Sequence, residues 1–260
     1  TYIFYLKMEQ IIKYSRENTQ YSTLELSCPM ITDTNILLII SSYLIPWNVK
    51  IMQELAKAGN LPVMKWAREN GCSWNERVCS LAAENGYIDC LIWARENVCT
   101  WNTIVCQKAA ENGHLDCLIW ARENGCDVDL WVCRFAAEYG HLDCLIWARE
   151  HGCPWNECVC WHATINGHLD CLIWARENGC DWDEWVCQCA AENGHLDCLK
   201  WARENGCPWN GIVCRYAAEN GHLDCLIWAR DNGCPWDKKD CLKKATHERH
   251  QNIVNWINSL

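Results

Sequence analysis

The sequence predicts an all-α solenoid, built from one helix–turn–helix unit copied at a 27-residue step with little or no β-hairpin. Three observations carry that expectation. The string Trp-Ala-Arg stands at Trp66, Trp93, Trp120, Trp147, Trp174, Trp201 and Trp228, each 27 residues after the last. Asn-Gly pairs divide the copies, as at Asn193-Gly194 and Asn205-Gly206. Between these breaks apolar residues recur at helical spacing. A supersecondary unit repeated in this way buries its apolar faces only by stacking on its neighbours, so its exposed surface becomes the natural place for function.

The stretch Trp182 to Pro208 shows the unit most clearly. Its first helix is expected over Glu184 to Glu192, with Val186, Cys187 and Ala190 on the apolar face. Gly194 then ends it, because glycine enters the left-handed conformation without a Cβ clash. The second helix is expected over His195 to Glu204, with Leu196, Leu199, Trp201 and Ala202 turned inward and Gly206 as its terminator. Asp197 falls in its first turn, where a carboxylate favours the positive end of the helix dipole. Helices this short are marginal alone, below the ~12–15 residues that isolated helices need. The Trp of each Trp-Ala-Arg is the largest group on the inward face and reads as a structural rung.

Units can be laid out from Trp47. The reading divides the chain into residues 1–46 as an N-terminal cap, seven repeats over 47–235, and a capping repeat over 236–260. Unit one is already degenerate: Met52 stands where Cys79 stands in the next unit, and Pro62 replaces the second-helix Asp. The last unit gains a residue before Ala245 and is rich in charge over 237–250, which suits a cap that shields the open end of a stack. For residues 1–46 two readings stand open. Ile11 to Asn18 echoes Val63 to Asn70, as a worn repeat would. The other reading concerns Pro29 to Leu44 and rests on a family resemblance. The chain opens on Thr1, and we expect the true N-terminus upstream or at Met8.

Gly113-His114-Leu115-Asp116 followed by an apolar helix, then Asn124-Gly125-Cys126-Asp127-Val128-Asp129, resembles the second helix and terminal turn of an ankyrin repeat. Val105 to Ala110 looks like its first helix, with the Ala pair at the helix contact. The likeness recurs in register from Trp47 to the C-terminus. Ankyrin repeats run to about 33 residues and carry a β-turn finger before the first helix. Here that stretch shrinks to Asn75-Glu76-Arg77, so the array is ankyrin-like with its fingers removed. Stretches such as Glu204-Asn205-Gly206-Cys207-Pro208-Trp209 look similar to ankyrin-type proteins of large DNA viruses and some protists, in which an F-box often accompanies the array. Pro29 to Leu44 is similar to the opening helix of an F-box. That resemblance implies an alternative function, a substrate adaptor that docks a ubiquitin-ligase subunit.

The 260 residues carry a net charge of −10, which argues against a phosphate-binding groove and so against nucleic acid. Ile36 to Ile40 is far shorter than the ~20 apolar residues of a membrane span. We expect no membrane partner and a monomer. No charged-then-apolar leader opens the chain.

The 23 cysteines raise a third reading, a cysteine-rich metal or redox protein. Their periodicity argues for packing instead. One set falls in first helices (Cys79 and its copies), one in second helices (Cys90 and its copies) and one in turns (Cys72 and its copies). Buried free Cys behaves as a small hydrophobe, and so many thiols suit a reducing cytoplasm or nucleus, that of a host cell if the protein is viral. His114 and Cys117 share a helix face in His-Leu-Asp-Cys. Tetrahedral zinc would however need two further ligands in every unit. No phosphate loop, nucleophile elbow or unique His–carboxylate set appears, and every candidate group recurs in each copy. We therefore expect no enzyme and no cofactor.

Function should sit where the copies disagree. The variable positions cluster in the first helices at offsets i, i+1, i+4 and i+5, one contiguous face. They supply the candidate partner-binding residues: Arg77, Leu81, Ile104, Trp131, Arg134, Phe135, Trp161, His162, Trp185, Ile212, Arg215 and Tyr216. Aromatic residues and Arg are the types enriched in binding hot spots. The face is expected to line the concave side of the stack and to bind a protein. The competing explanation is drift at weakly constrained surface positions.

Overall fold

The computed structural model describes residues 48–260. Both readings of residues 1–46, worn repeat or F-box-like helix, therefore lie outside the described residues. Sixteen α-helices and no strand occur among the described residues. They form eight antiparallel pairs: α1 (Val49–Lys57) with α2 (Leu61–Glu69), α3 (Arg77–Glu84) with α4 (Ile88–Glu96), α5 (Ile104–Glu111) with α6 (Leu115–Glu123), and α7 (Leu130–Glu138) with α8 (Leu142–Glu150). The second half continues with α9 (Cys158–Ile165) and α10 (Leu169–Glu177), α11 (Glu184–Glu192) and α12 (Leu196–Glu204), α13 (Ile212–Glu219) and α14 (Leu223–Asp231), and α15 (Lys238–His247) and α16 (Gln251–Asn258).

Odd-numbered helices pack closely on the odd helices of both neighbouring units and on their own partners. Even-numbered helices touch one another only lightly. The first helices therefore form the closely packed layer of the stack. The tight approach follows from small residues: the Ala pairs Ala82-Ala83, Ala109-Ala110, Ala136-Ala137, Ala190-Ala191 and Ala217-Ala218 are fully buried. Val78, Cys79 and their copies fill the same layer, and Leu91, Leu118, Leu145, Leu172, Leu199 and Leu226 fill the seam with the second helices. Burying one Leu side chain contributes roughly 1.5–3 kcal/mol.

In most units the residue after the turn Trp, or after Val128 in its place, caps the following helix; Asn75 instead accepts from the Gln53 side-chain amide. Asp129 accepts from the Trp131 amide, Asp183 from that of Trp185, and Asn102, Asn156 and Asn210 from those of Ile104, Cys158 and Ile212. Such a side-chain oxygen satisfies an amide that the helix itself leaves unpaired. The second helices have no side-chain cap of this kind from Tyr87 or from His114 and its copies. These histidines act between units instead. A Cβ built on Gly167 would meet His195 Nδ1 at 2.5 Å, and His195 Nε2 bonds the Ile165 carbonyl at 3.0 Å. His141 and His250 make the equivalent bonds to Glu111 and Glu219. Each inter-helix glycine from Gly86 onward is thus the floor on which the next unit's His lies, and Gly59 is the floor for Tyr87.

The Trp of Trp-Ala-Arg is half-buried rather than deep in the core. It meets the turn Trp of its own unit edge-on: Trp74 with Trp93, Trp101 with Trp120, Trp155 with Trp174, Trp182 with Trp201 and Trp209 with Trp228, at centroid distances of 5.4 to 5.8 Å. The Arg of the preceding unit covers the turn Trp from Trp74 to Trp209, as Arg68 covers Trp74 at 4.5 Å and Arg176 covers Trp182 at 4.7 Å, whereas Arg230 lies over Trp256. Arg68 and Arg176 also donate to the Cys72 and Cys180 carbonyls that end their helices. The ladder misses one rung. Val128 replaces the turn Trp, and Trp147 stacks on His151 at 4.3 Å instead.

Candidate interaction surface

The twelve sequence-predicted site residues all lie on the first-helix layer, but they are not equally open. Arg77, Ile104, Trp131 and Trp185, at the turn-side end of their helices, are exposed. Leu81, Arg134, Phe135, Trp161, Ile212, Arg215 and Tyr216 are half-buried. His162 is only 7% exposed and is corrected here from surface residue to buried one. Gln188 and Cys189, at the matching positions of α11, are buried as well. The reason is geometric: the i+4 and i+5 positions point into the cleft between closely packed first helices, whereas i and i+1 reach past the helix ends.

Arg134, Glu138 and His162 form a polar clamp between α7 and α9. The Arg134 guanidinium lies 3.9 Å from the Trp131 ring centroid and 5.9 Å from that of Trp161, and it contacts His162 Nε2. His162 Nδ1 lies 3.0 Å from Glu138 Oε2, in ion-pair range but off the line of a well-formed hydrogen bond. A guanidinium can only donate, so Nε2 must accept and the proton belongs on Nδ1, facing the carboxylate. Burial and the Arg134 charge push the His162 pKa down to about 4, so the ring is neutral near pH 7. Burial also raises the Glu138 carboxyl. Phe135 lies against Trp131 at 5.4 Å. The clamp ties Trp131, Arg134, Trp161 and His162 together across α7 and α9.

Beyond the clamp, a row of carboxylates ends the first helices. Glu111 pairs with Lys108 at 2.7 Å and Glu219 with Lys244 at 2.7 Å. Near the C-terminal end, Asn210, Ile212, Arg215, Trp236 and Asp240 line a shallow cleft of about 440 Å³.

The cysteines serve the framework. Each turn thiol donates to the backbone carbonyl of the capping position 24 residues earlier, as Cys99 does to Asn75 at 3.3 Å and Cys180 to Asn156 at 3.2 Å. Burial, reinforced by the adjacent Asp116 and Asp143, pushes Cys117 and Cys144 up to about 12, so both stay protonated. Among the described residues no group of three or more His, Cys, Asp or Glu is placed to hold a metal ion, and no helix is long and apolar enough to cross a membrane.

Sequence reasoning missed three roles: the capping Asn or Asp, the Arg that covers the next turn Trp, and the His that lies on the preceding glycine. Each was visible as a periodic residue, but its partner sits in another turn or another unit. A search of curated proteins found no match. Residues 187–230 match the family model described as ankyrin repeats (many copies). The units on either side repeat that helix-pair geometry at the same 27-residue step, so the array is one of ankyrin-like repeats.

Proposed function

We propose that this protein is a non-catalytic scaffold that captures a partner protein on the turn-side edge of its first-helix layer. Ankyrin repeats are in general protein–protein interaction modules. The observation that carries the assignment to this edge is the exposure of large apolar groups in register. Ile104, Leu130, Trp131 and Trp185 stay open at the same edge, whereas the other exposed large apolar side chains, Tyr87, Val98, Tyr139 and Leu260, stand at unrelated turn and terminal positions. Trp and Arg at the centre of such a patch supply most of the binding energy once water is displaced. The 22 described cysteines all carry free thiols, which supports placement in a reducing cytoplasm or nucleus.

A pull-down tests the reading. Trp131→Ala combined with Trp185→Ala should abolish capture while helicity and melting stay close to wild type, because neither ring packs against the buried core. Trp161→Ala is the wrong probe: its ring packs against the core, and its loss should lower stability as well. A double variant that melts early, with the unfolded fraction accounting for all the lost capture, would sink the assignment.

A further inference from the structure

Nine cation–π contacts run through the described residues, and from Trp74 to Trp256 every tryptophan but one has a ring or cation partner. The exception is Trp185. Its amide is held by the Asp183 cap, which fixes the start of α11, yet its ring is 51% exposed with nothing stacked on it. Its surroundings are acidic. Glu184 precedes it, Glu157 holds the corresponding edge of the preceding unit, and the Asp181 carboxylate, almost wholly in water, lies 3.9 Å from the Arg176 guanidinium. The nearest cation in sequence, Arg176, is committed to the Trp182 ring and the Cys180 carbonyl. At the two edge positions of five successive units stand Thr103 and Ile104, Leu130 and Trp131, Glu157 and Cys158, Glu184 and Trp185, and Gly211 and Ile212, with no Lys or Arg among them. Cations bound this run at both ends, at Arg77 and at Lys238 and Lys239.

We propose that this edge takes an extended, basic segment of a partner protein, with an arginine or lysine over the open Trp185 ring. The inference rests on the scaffold reading above and names the chemistry of its ligand. The indole face attracts a cation, and Glu184 and Glu157 neutralise it, so a side chain like those the array places on its own turn tryptophans fits the vacancy. Apolar residues of the same segment would cover Cys158, Trp131 and Ile104. Neighbouring first helices pack roughly 8–10 Å apart, and an extended chain advances about 3.3 Å per residue. A segment running from Trp131 to Trp185 therefore spans about five or six residues. The net charge of −10 favours the approach of a basic partner over an acidic one.

The test uses the full chain and two labelled glycine–serine peptides. One carries two arginines and a leucine between them; its twin has glutamates in place of the arginines. Fluorescence anisotropy should show binding of the arginine peptide that weakens with added salt, and none of the twin. Trp185→Ala should weaken binding about tenfold, Glu184→Gln a few-fold, and Trp185→Phe should retain part of it. Circular dichroism of each variant should overlay that of the wild type. Equal binding of both peptides, or no effect of Trp185→Ala, would overturn the proposal. So would self-association of the chain that Trp185→Ala abolishes, since a second copy would then be the occupant. A captured partner that depends on Trp131 but ignores Trp185 and Glu184 would overturn the basic-segment assignment and leave the scaffold reading standing. Capture that ignores Trp131 as well would overturn both.

Discussion

Two glycines twelve residues apart look alike in the sequence and should behave differently when replaced. Gly167 and Gly179 both follow Asn, both end a helix, and both hold a left-handed backbone with φ of +78° and +84°. Alanine in that region costs about 1–2 kcal/mol, offset in part by the lower entropy of the unfolded chain. At Gly179 nothing lies within 4 Å of the added Cβ, so Gly179→Ala should cost only about 1 kcal/mol. At Gly167 the same Cβ would sit 2.5 Å from His195 Nδ1 and 2.9 Å from Cε1. The imidazole must move, which breaks its 3.0 Å bond to the Ile165 carbonyl and opens the contact between two units. The lost hydrogen bond is worth about 1 kcal/mol, and the overpacking at least as much again. Gly167→Ala should thus cost about 3 kcal/mol. Urea unfolding followed by circular dichroism measures both. A double-mutant cycle isolates the cause: in a His195→Ala background, Gly167→Ala should cost no more than Gly179→Ala does. The chain holds a natural comparison in Val98, which takes φ of +70° at the position equivalent to Gly179 with its side chain in open water. Val98→Gly should accordingly stabilise by about 1 kcal/mol. Equal costs at Gly167 and Gly179, or a cost at Gly167 that persists without the imidazole, would refute the idea that these histidines lock units together.

Two further outcomes follow from the packing. Val128→Trp should restore the missing rung by placing an indole between Arg122 and Trp147, and an aromatic pair with a cation over it is worth about 1–2 kcal/mol in all; a urea midpoint that does not rise would count against the ladder as a source of stability. The pH dependence turns on His162, whose folded pKa of about 4 lies below the ordinary 6.5. As pH falls the unfolded chain takes up that proton first, so this site's contribution is intact above about 6.5 and declines toward 4, by about 3 kcal/mol at most. Glu138 has a raised pKa and takes up its proton more readily in the folded state, which returns part of the loss over the same range. His162→Asn should flatten the drop in urea midpoint between pH 7 and pH 5, and an unchanged drop would show that the clamp does not couple to protons.

The all-α stack was legible in the residues alone because its causes are local or periodic. Asn-Gly pairs end helices at every described occurrence except Asn210-Gly211, which begins α13, and a 27-residue step in Trp, Ala, Leu and Cys admits one way to share a core. The candidate face was legible too, but only as a stripe. Positions i+1 and i+5 of a first helix look equivalent in a string, yet Trp185 is open and His162 is closed. That difference arises from how near the adjacent first helix comes, which Ala pairs in two chains of contact decide together. The same holds for the glycines: sequence shows why both Gly167 and Gly179 are glycine, by conformation. Only the packing of the next unit shows that Gly167 also makes room for His195. Likewise the Arg of Trp-Ala-Arg reads as a surface charge until the following turn brings a Trp beneath it. Helix formation and helix termination were therefore settled by neighbours in the chain, whereas exposure, crowding and the vacant ring of Trp185 were settled by neighbours in space.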